Sequence, residues 1–305
     1  MSSELTRRVV FGVIAAPIAI AIVVYGGAPL AALLAVTSAL AAWELFRLAR
    51  ATGLTPFDDV GIAIAGLIPL VVHARYLRIY DSDAFVGPLS LAVVCLLLLL
   101  AAAIWARGPG GKPLGSVAVT MFGAAYTGGT LSYGYAIRYH DYAFAPAALP
   151  LAGKTFAVAS GGLLLLLPIL LTWASDIGAY AVGRSFGRNK LIPSVSPGKT
   201  VEGAIGGLAA SMLIAWLYTR FVLHPSTSLD FRWHPAGSLL FGALVSVAAQ
   251  VGDLAESLLK REAGVKDASR LIPGHGGVLD RLDSLLFVMP ISYVVLSWLL
   301  TWAPT

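Results

Sequence analysis

Long apolar runs follow one another along this chain with short polar interruptions. Each is near the roughly 20 residues that an α-helix needs to cross a bilayer. Nine runs stand out: Val9–Tyr25, Pro29–Phe46, Gly61–Tyr76, Phe85–Ala106, Val117–Ile137, Gly161–Val182, Val201–Leu223, Ala236–Leu259 and Leu282–Thr301. They predict an all-α polytopic membrane protein with about nine transmembrane helices. The third run is the weakest, because Pro69 and His73 interrupt it. The first follows Arg7-Arg8 and lacks a small-x-small cleavage site before Pro29, so it reads as a retained anchor. Tyr25, Trp43, Tyr76, Trp105, Trp298 and Trp302, near run ends, suit interfacial anchoring or ordinary packing.

Composition sharpens this picture. Of 305 residues, 58% are hydrophobic and 12% charged, and the mean hydropathy is +0.81. A soluble domain carries about a quarter charged residues, so a soluble globule, a disordered chain, collagen and a coiled coil are excluded. The one cysteine, Cys95, rules out an intrachain disulfide and a Cys-based zinc site and reads as a packing residue. The net charge of +5 falls unevenly. With the N-terminus inside, 15 of the 21 basic residues fall in inside loops and 6 outside. This bias predicts an N-in, C-out multi-pass protein of the cell (inner or plasma) membrane, and it accounts for the basic balance without nucleic acid.

Polarity changes near residue 155. Residues 1–155 are N-terminal membrane helices almost free of polar interruptions. Residues 156–305 add long inside loops, within one integral membrane unit. Asp176 lies inside the sixth run with Tyr180 one turn on, and an ionisable residue in a membrane is a functional candidate. A basic Gly/Ser-rich loop from Gly183 then leads into a helix at about Thr200. Ser196, Lys199 and Thr200 are placed at its N-terminus to bind phosphate. It is not a Walker A loop, and the same charges would also serve orientation or anionic lipid. Gly203 and Gly207 form a GxxxG step suited to helix packing.

The densest polar region comes last. On a helix, Asp253, Glu256, Ser257 and Lys260 share one face. Lys266-Asp267 follows, and then Gly-His275-Gly-Gly leads to Asp280, Arg281 and Asp283. Carboxylates with phosphate oxygens suit Mg²⁺. His275 reads as a phosphate donor, an acid/base group or a loop strut, and zinc is disfavoured by its isolation.

The stretch Ser257-Leu-Leu-Lys-Arg-(four residues)-Lys-Asp-Ala-Ser-Arg-Leu-Ile-Pro-Gly-His-Gly-Gly-Val-Leu-Asp-Arg-Leu-Asp283 resembles the signature of the phosphatidate cytidylyltransferases, or CDP-diglyceride synthetases, without departure over 27 positions. Asp176-x-x-Ala-Tyr180-x-x-Gly-Arg-x-Phe-Gly and Ser-Pro-x-Lys-Thr-x-Glu-Gly look like the same family. Gly198 departs, where many relatives carry Lys or another polar residue. The resemblance is strong over the second half of the chain. It implies that CTP and phosphatidate give CDP-diacylglycerol and pyrophosphate. It also implies Mg²⁺, with room for a monovalent cation such as K⁺, and a homodimer with a cytoplasm-facing site.

The residue chemistry fits that reaction. A lipid phosphate oxygen is already an anionic nucleophile, so positioning and charge neutralisation suffice. Asp253, Asp280 and Asp283 are the first candidates for the metal, with Glu256 and Asp176 after them. Lys266 and His275 join Asp253 and Asp280 as catalytic candidates. Ser196, Lys199, Thr200, Ser257, Lys260, Arg261 and Arg281 are substrate-binding candidates. Two rivals stay open. A CTP-dependent lipid kinase would release CDP instead of pyrophosphate. An ion-coupled transporter using Asp176 would spread polar residues through the bilayer midplane, and it is disfavoured by the absence of an internal repeat.

Overall fold

The computed structural model describes residues 3–77, 88–140, 146–151, 154–227, 229–272, 274 and 276–302. Its helices follow the apolar runs: α1 (Ser3–Tyr25), α2 (Gly27–Ala51), α3 (Asp58–Tyr76), α4 (Pro88–Ala106), α5 (Pro113–Ala124), α6 (Thr130–Arg138), α7 (Ser160–Phe186), α8 (Val201–Tyr218), the short α9 (His224–Ser226), α10 (Ala236–Glu262) and α11 (Leu279–Leu299). The chain is an all-α polytopic membrane protein. Among the described residues, six helical segments are long and apolar enough to span a bilayer: Gly27–Ala51, Asp58–Tyr76, Ser160–Phe186, Val201–Ser226, Ala236–Glu262 and Leu279–Leu299. The fifth run is one helical stretch carrying a π-helical turn, Ala125–Gly129, between α5 and α6. The run with Pro69 and His73 is a continuous helix. Pro69 is buried, and His73 Nδ1 lies 2.5 Å from the Tyr135 hydroxyl, which gives the imidazole a polar partner.

Among the described residues, short antiparallel pairs accompany the helices, one of them in the basic loop read from sequence as a phosphate site and another reaching the end of the ninth apolar run. They are β1 (Pro146–Leu151) with β2 (Lys154–Ala159), β3 (Lys190–Ile192) with β4 (Ser196–Thr200), and β5 (Leu229–Phe231) with β6 (Leu300–Trp302). The last pair joins segments about seventy residues apart, which local patterning does not reveal.

The chain divides into two units, each discontinuous in sequence. The first comprises residues 1–8, 27–135 and 259–282, and the second residues 9–26, 136–258 and 283–305. The division near residue 155 is one of composition, and the units follow contacts instead. In the first unit, Phe46 of α2 is wholly buried between Gly61 of α3 and Gly123 of α5, where a Cβ would lie 2.5 Å and 2.2 Å from its ring. In the second unit, α7 and α8 pack backbone to backbone. A Cβ on Gly207 would lie 2.8 Å from the Ser175 carbonyl, one on Gly203 2.8 Å from the Ala179 carbonyl, and one on Gly178 2.7 Å from the Gly206 carbonyl. The Gly203/Gly207 step is thus a packing device, as its spacing predicts. It fixes where the start of α8 meets the last turns of α7.

Gly207→Val therefore forces this pair apart. Overpacking of this kind typically costs about 1–3 kcal/mol, so the melting temperature of the detergent-solubilised protein should fall clearly. Gly198→Ala, where an added Cβ meets nothing within 4 Å, should leave it unchanged.

Candidate active site

The second unit carries a cleft of about 410 Å³ between the end of α7, the β3–β4 hairpin, the start of α8 and α10. The hairpin is tied to α8 by Glu202 in the helix's first turn. Its carboxylate accepts from the backbone N–H groups of Arg188 and Asn189 and from Asn189 Nδ2 at 2.7 Å. Thr200 caps α8, its Oγ1 accepting from the Gly203 N–H at 3.1 Å. The predicted helix start at Thr200 is where the helix begins; its first amides are taken up by the Asn189 carbonyl and the Thr200 hydroxyl, and its positive dipole end borders the cleft.

Two charges face each other across this opening. Lys199 Nζ lies 2.7 Å from Asp253 Oδ2, with both side chains partly exposed. Ser257 Oγ donates to the other Asp253 oxygen at 3.4 Å. Asp176 and Tyr180 of α7 line the same cleft, as does Arg184, whose Nη1 donates to the Tyr180 hydroxyl at 2.6 Å. Gln250 lines it as well and is held by the Ala204 carbonyl and Ser246 Oγ. Ser196, in β4, does not line the cleft, whereas Lys199 and Thr200 do. Glu256 is wholly buried in α10. Asp283 Oδ1 accepts from the Ser284 N–H at 2.6 Å, and its backbone carbonyl lies against Gly252, where a Cβ would come within 2.7 Å.

The first unit holds the loop between α10 and α11. Asp280 is buried, with both oxygens engaged. Lys260 Nζ donates to Oδ1 at 2.7 Å, and the Ala268 and Gly277 N–H groups donate to Oδ2 at 2.9 and 2.8 Å. Gly276, at φ +82°, lets the chain turn directly over this carboxylate, where a Cβ would sit 2.8 Å from Oδ2. Lys260, a substrate-binding candidate by sequence, is here the partner of Asp280. Lys266, Arg261 and Arg281 face outward, and Arg261 Nη1 donates to the Val265 carbonyl. His275 lies outside the described residues.

Two cleft residues, Arg184 and Gln250, were not among the sequence candidates, and neither was Glu44, which does not line the cleft. Glu44, in α2, is wholly buried and accepts from Ser269 Oγ and from the Val278 and Leu279 N–H groups. A lone acidic residue within an apolar run is the signal that identified Asp176, and the same rule applied to the second run would have found Glu44.

The arrangement suits an anionic polyphosphate: a lysine and an arginine, a helix N-terminus, and carboxylates for a counter-cation. No group of three His, Cys, Asp or Glu side chains able to hold a metal occurs among the described residues. Mg²⁺ does not require one, since it is usually held by one or two carboxylates together with substrate phosphates and water. Asp176 and Asp253, both lining the cleft, fit that donor set.

Comparison with known proteins agrees. The model of the cytidylyltransferase family matches residues 6–299. A phosphatidate cytidylyltransferase of Synechocystis sp. is 33% identical over 304 residues, covering 97% of each chain. One of Bacillus subtilis is 30% identical over 299 residues, covering 96% of this chain and 98% of its own. One of Haemophilus influenzae is 47% identical over 130 residues, 43% of this chain and 44% of that protein.

A charge-assisted hydrogen bond contributes roughly 1.5–3 kcal/mol. Lys199→Ala should therefore weaken binding of a nucleoside triphosphate by about ten- to a hundredfold in calorimetric titration. Lys190→Ala, an exposed charge of the same hairpin that does not line the cleft, should leave it nearly unchanged.

Proposed function

The chain belongs to the cytidylyltransferase family, and within it to the phosphatidate cytidylyltransferases, and from that premise we propose the following course for its reaction. A phosphate oxygen of phosphatidate attacks the α-phosphorus of CTP. The new bond joins lipid phosphate to CMP, the bond from the α-phosphorus to the bridging oxygen breaks, and pyrophosphate leaves with its electron pair. The product is CDP-diacylglycerol. No protein nucleophile takes part, because the attacking oxygen is already anionic.

The observation that carries this reading is the Lys199–Asp253 pair at 2.7 Å in a cleft bordered by the N-terminus of α8. An ammonium has three donors, so Lys199 can hold a phosphate oxygen while still facing Asp253. Arg184, held by Tyr180, supplies a second cation to the triphosphate. The positive dipole end of α8 adds partial positive charge. Asp176 and Asp253 would hold Mg²⁺, which when bound neutralises phosphate charge and steadies the leaving pyrophosphate. The protein's own part is to orient CTP and to keep its negative charge compensated.

The remaining sequence assignments form part of the same proposal. Asp283 would serve the cation with Asp253, Glu256 would support that group from within α10, and Asp280 would serve the reaction from the α10–α11 loop. Lys199, Thr200, Ser196 and Ser257 would meet substrate phosphate in the second unit, and Lys260, Arg261, Lys266 and Arg281 would do so in the first. His275 acts on a phosphate oxygen, and K⁺ is the second cation. The protein has nine spans with the N-terminus inside and acts as a homodimer. Its site faces the cytoplasm, where CTP is available, and lipid enters from the bilayer.

Pyrophosphate release from CTP and phosphatidate by the purified protein should stop in excess EDTA and return with Mg²⁺. Asp253→Asn keeps the side chain's shape but removes its charge, so it should abolish turnover while the melting temperature stays close to the parent's. Full activity in excess EDTA, or near-normal turnover by Asp253→Asn, would contradict the cation-assisted mechanism.

A further inference from the structure

Glu44 has no place in the chemistry above, yet it is among the most completely buried charged groups of the first unit, with no exposed surface at all. Its two oxygens take three donors. Oε1 accepts from Ser269 Oγ and from the Val278 N–H at 3.0 Å, and Oε2 accepts from the Leu279 N–H at 2.6 Å. Ser269 also accepts from the Leu271 N–H at 3.0 Å, so the carboxylate orders both arms of the loop between α10 and α11. The backbone is shaped around it. A Cβ on Gly277 would lie 2.4 Å from Oε1 and 2.5 Å from Oε2, so only glycine fits beside this carboxylate. The N–H of that same Gly277 donates to Asp280 at 2.8 Å.

We infer that Glu44 is a positioning residue: through Gly277, Val278 and Leu279 it fixes the start of α11 and thereby the presentation of Asp280. A carboxylate buried without partners would be strongly disfavoured in so apolar a setting. Its burial is therefore sustained by the loop it orders, and the loop's order by the carboxylate. This role rests on the proposed function, since it matters to turnover only if Asp280 serves the reaction.

The test combines hydrogen exchange with kinetics, using the full-length protein in lipid nanodiscs. Glu44→Gln keeps size and shape but turns an amide N–H₂ toward a backbone or hydroxyl donor. Exchange of peptides covering residues 266–282, measured in EDTA, should accelerate by about ten- to a hundredfold, while peptides of α7 and α8 exchange as in the parent. In kinetics, kcat should fall while the KM for CTP stays near the parent's, because the triphosphate cleft belongs to the second unit. Thr37→Ala, elsewhere on α2, should alter neither. Should Glu44→Gln fail to fold, Gly277→Ala decides by the same two readouts. Its backbone is not in the left-handed region, so the added methyl acts on the Glu44 carboxylate itself. Unchanged exchange across 266–282 in the folded variant, or a loss confined to the KM for CTP, would overturn the inference. If the parent releases no pyrophosphate from CTP and phosphatidate, the proposed function fails, and exchange alone then judges Glu44.

Discussion

A charged group taken out of water needs a partner, and in this chain that requirement decides where the polar backbone goes. Lys199 faces Asp253, and Lys260 faces Asp280. Glu202 collects the amides of the β3–β4 hairpin, and Glu44 collects those at the start of α11. Where such a pair is buried, as Lys260–Asp280 is, removing one partner leaves a stranded charge, which costs far more than the pair contributes when intact. Each pairing therefore acts as a constraint on geometry more than as a source of stability. The α10–α11 loop cannot loosen without stranding Glu44 and Asp280, whereas Glu202 ties the hairpin to α8 through hydrogen bonds made at the surface.

Close backbone approach makes these pairings possible. In the second unit, Gly178, Gly203 and Gly207 bring α7 against α8 without intervening side chains. Asp176, Tyr180 and Arg184 thereby share a cleft with Lys199 and Thr200. Gly252 does the same for α10 and α11 one residue before Asp253. In the first unit, Gly276 and Gly277 allow the chain to wrap two carboxylates at once. Small residues thus set distances, and charged residues exploit them. The Lys199–Asp253 pair differs from the buried pairs in that both side chains keep partial exposure beside the cleft.

Much of this was legible from local sequence. The apolar runs became helices, because length and hydropathy alone decide whether a segment can satisfy its backbone in lipid. The start of α8 at Thr200 follows from a capping residue beside a glycine-rich stretch, and the Gly203/Gly207 step from its spacing. Pairing between distant segments was not legible. Ser269 meets a residue 225 positions earlier, and no periodicity announces that. For the same reason the last helix begins at Leu279, before the apolar run at Leu282, since Glu44 supplies acceptors for its first amides. Asp253, Glu256, Ser257 and Lys260 share a helical face as spacing requires, but they meet different fates. One faces the cleft, one is wholly buried, and Lys260 pairs with Asp280. A helical stripe gives direction, and only the partner segments give role.

The central claim is that the cytidine end of the nucleotide, and not its γ-phosphoryl group, passes to the lipid. The most direct measurement supplies the purified protein, in phosphatidate-containing vesicles, with CTP labelled in the cytosine ring in one sample and at the γ-phosphate in another. The account predicts that the cytosine label enters the organic lipid phase in step with pyrophosphate, while the γ-label stays aqueous. Transfer of the γ-label to lipid, with the cytosine label left as aqueous CDP, would contradict it.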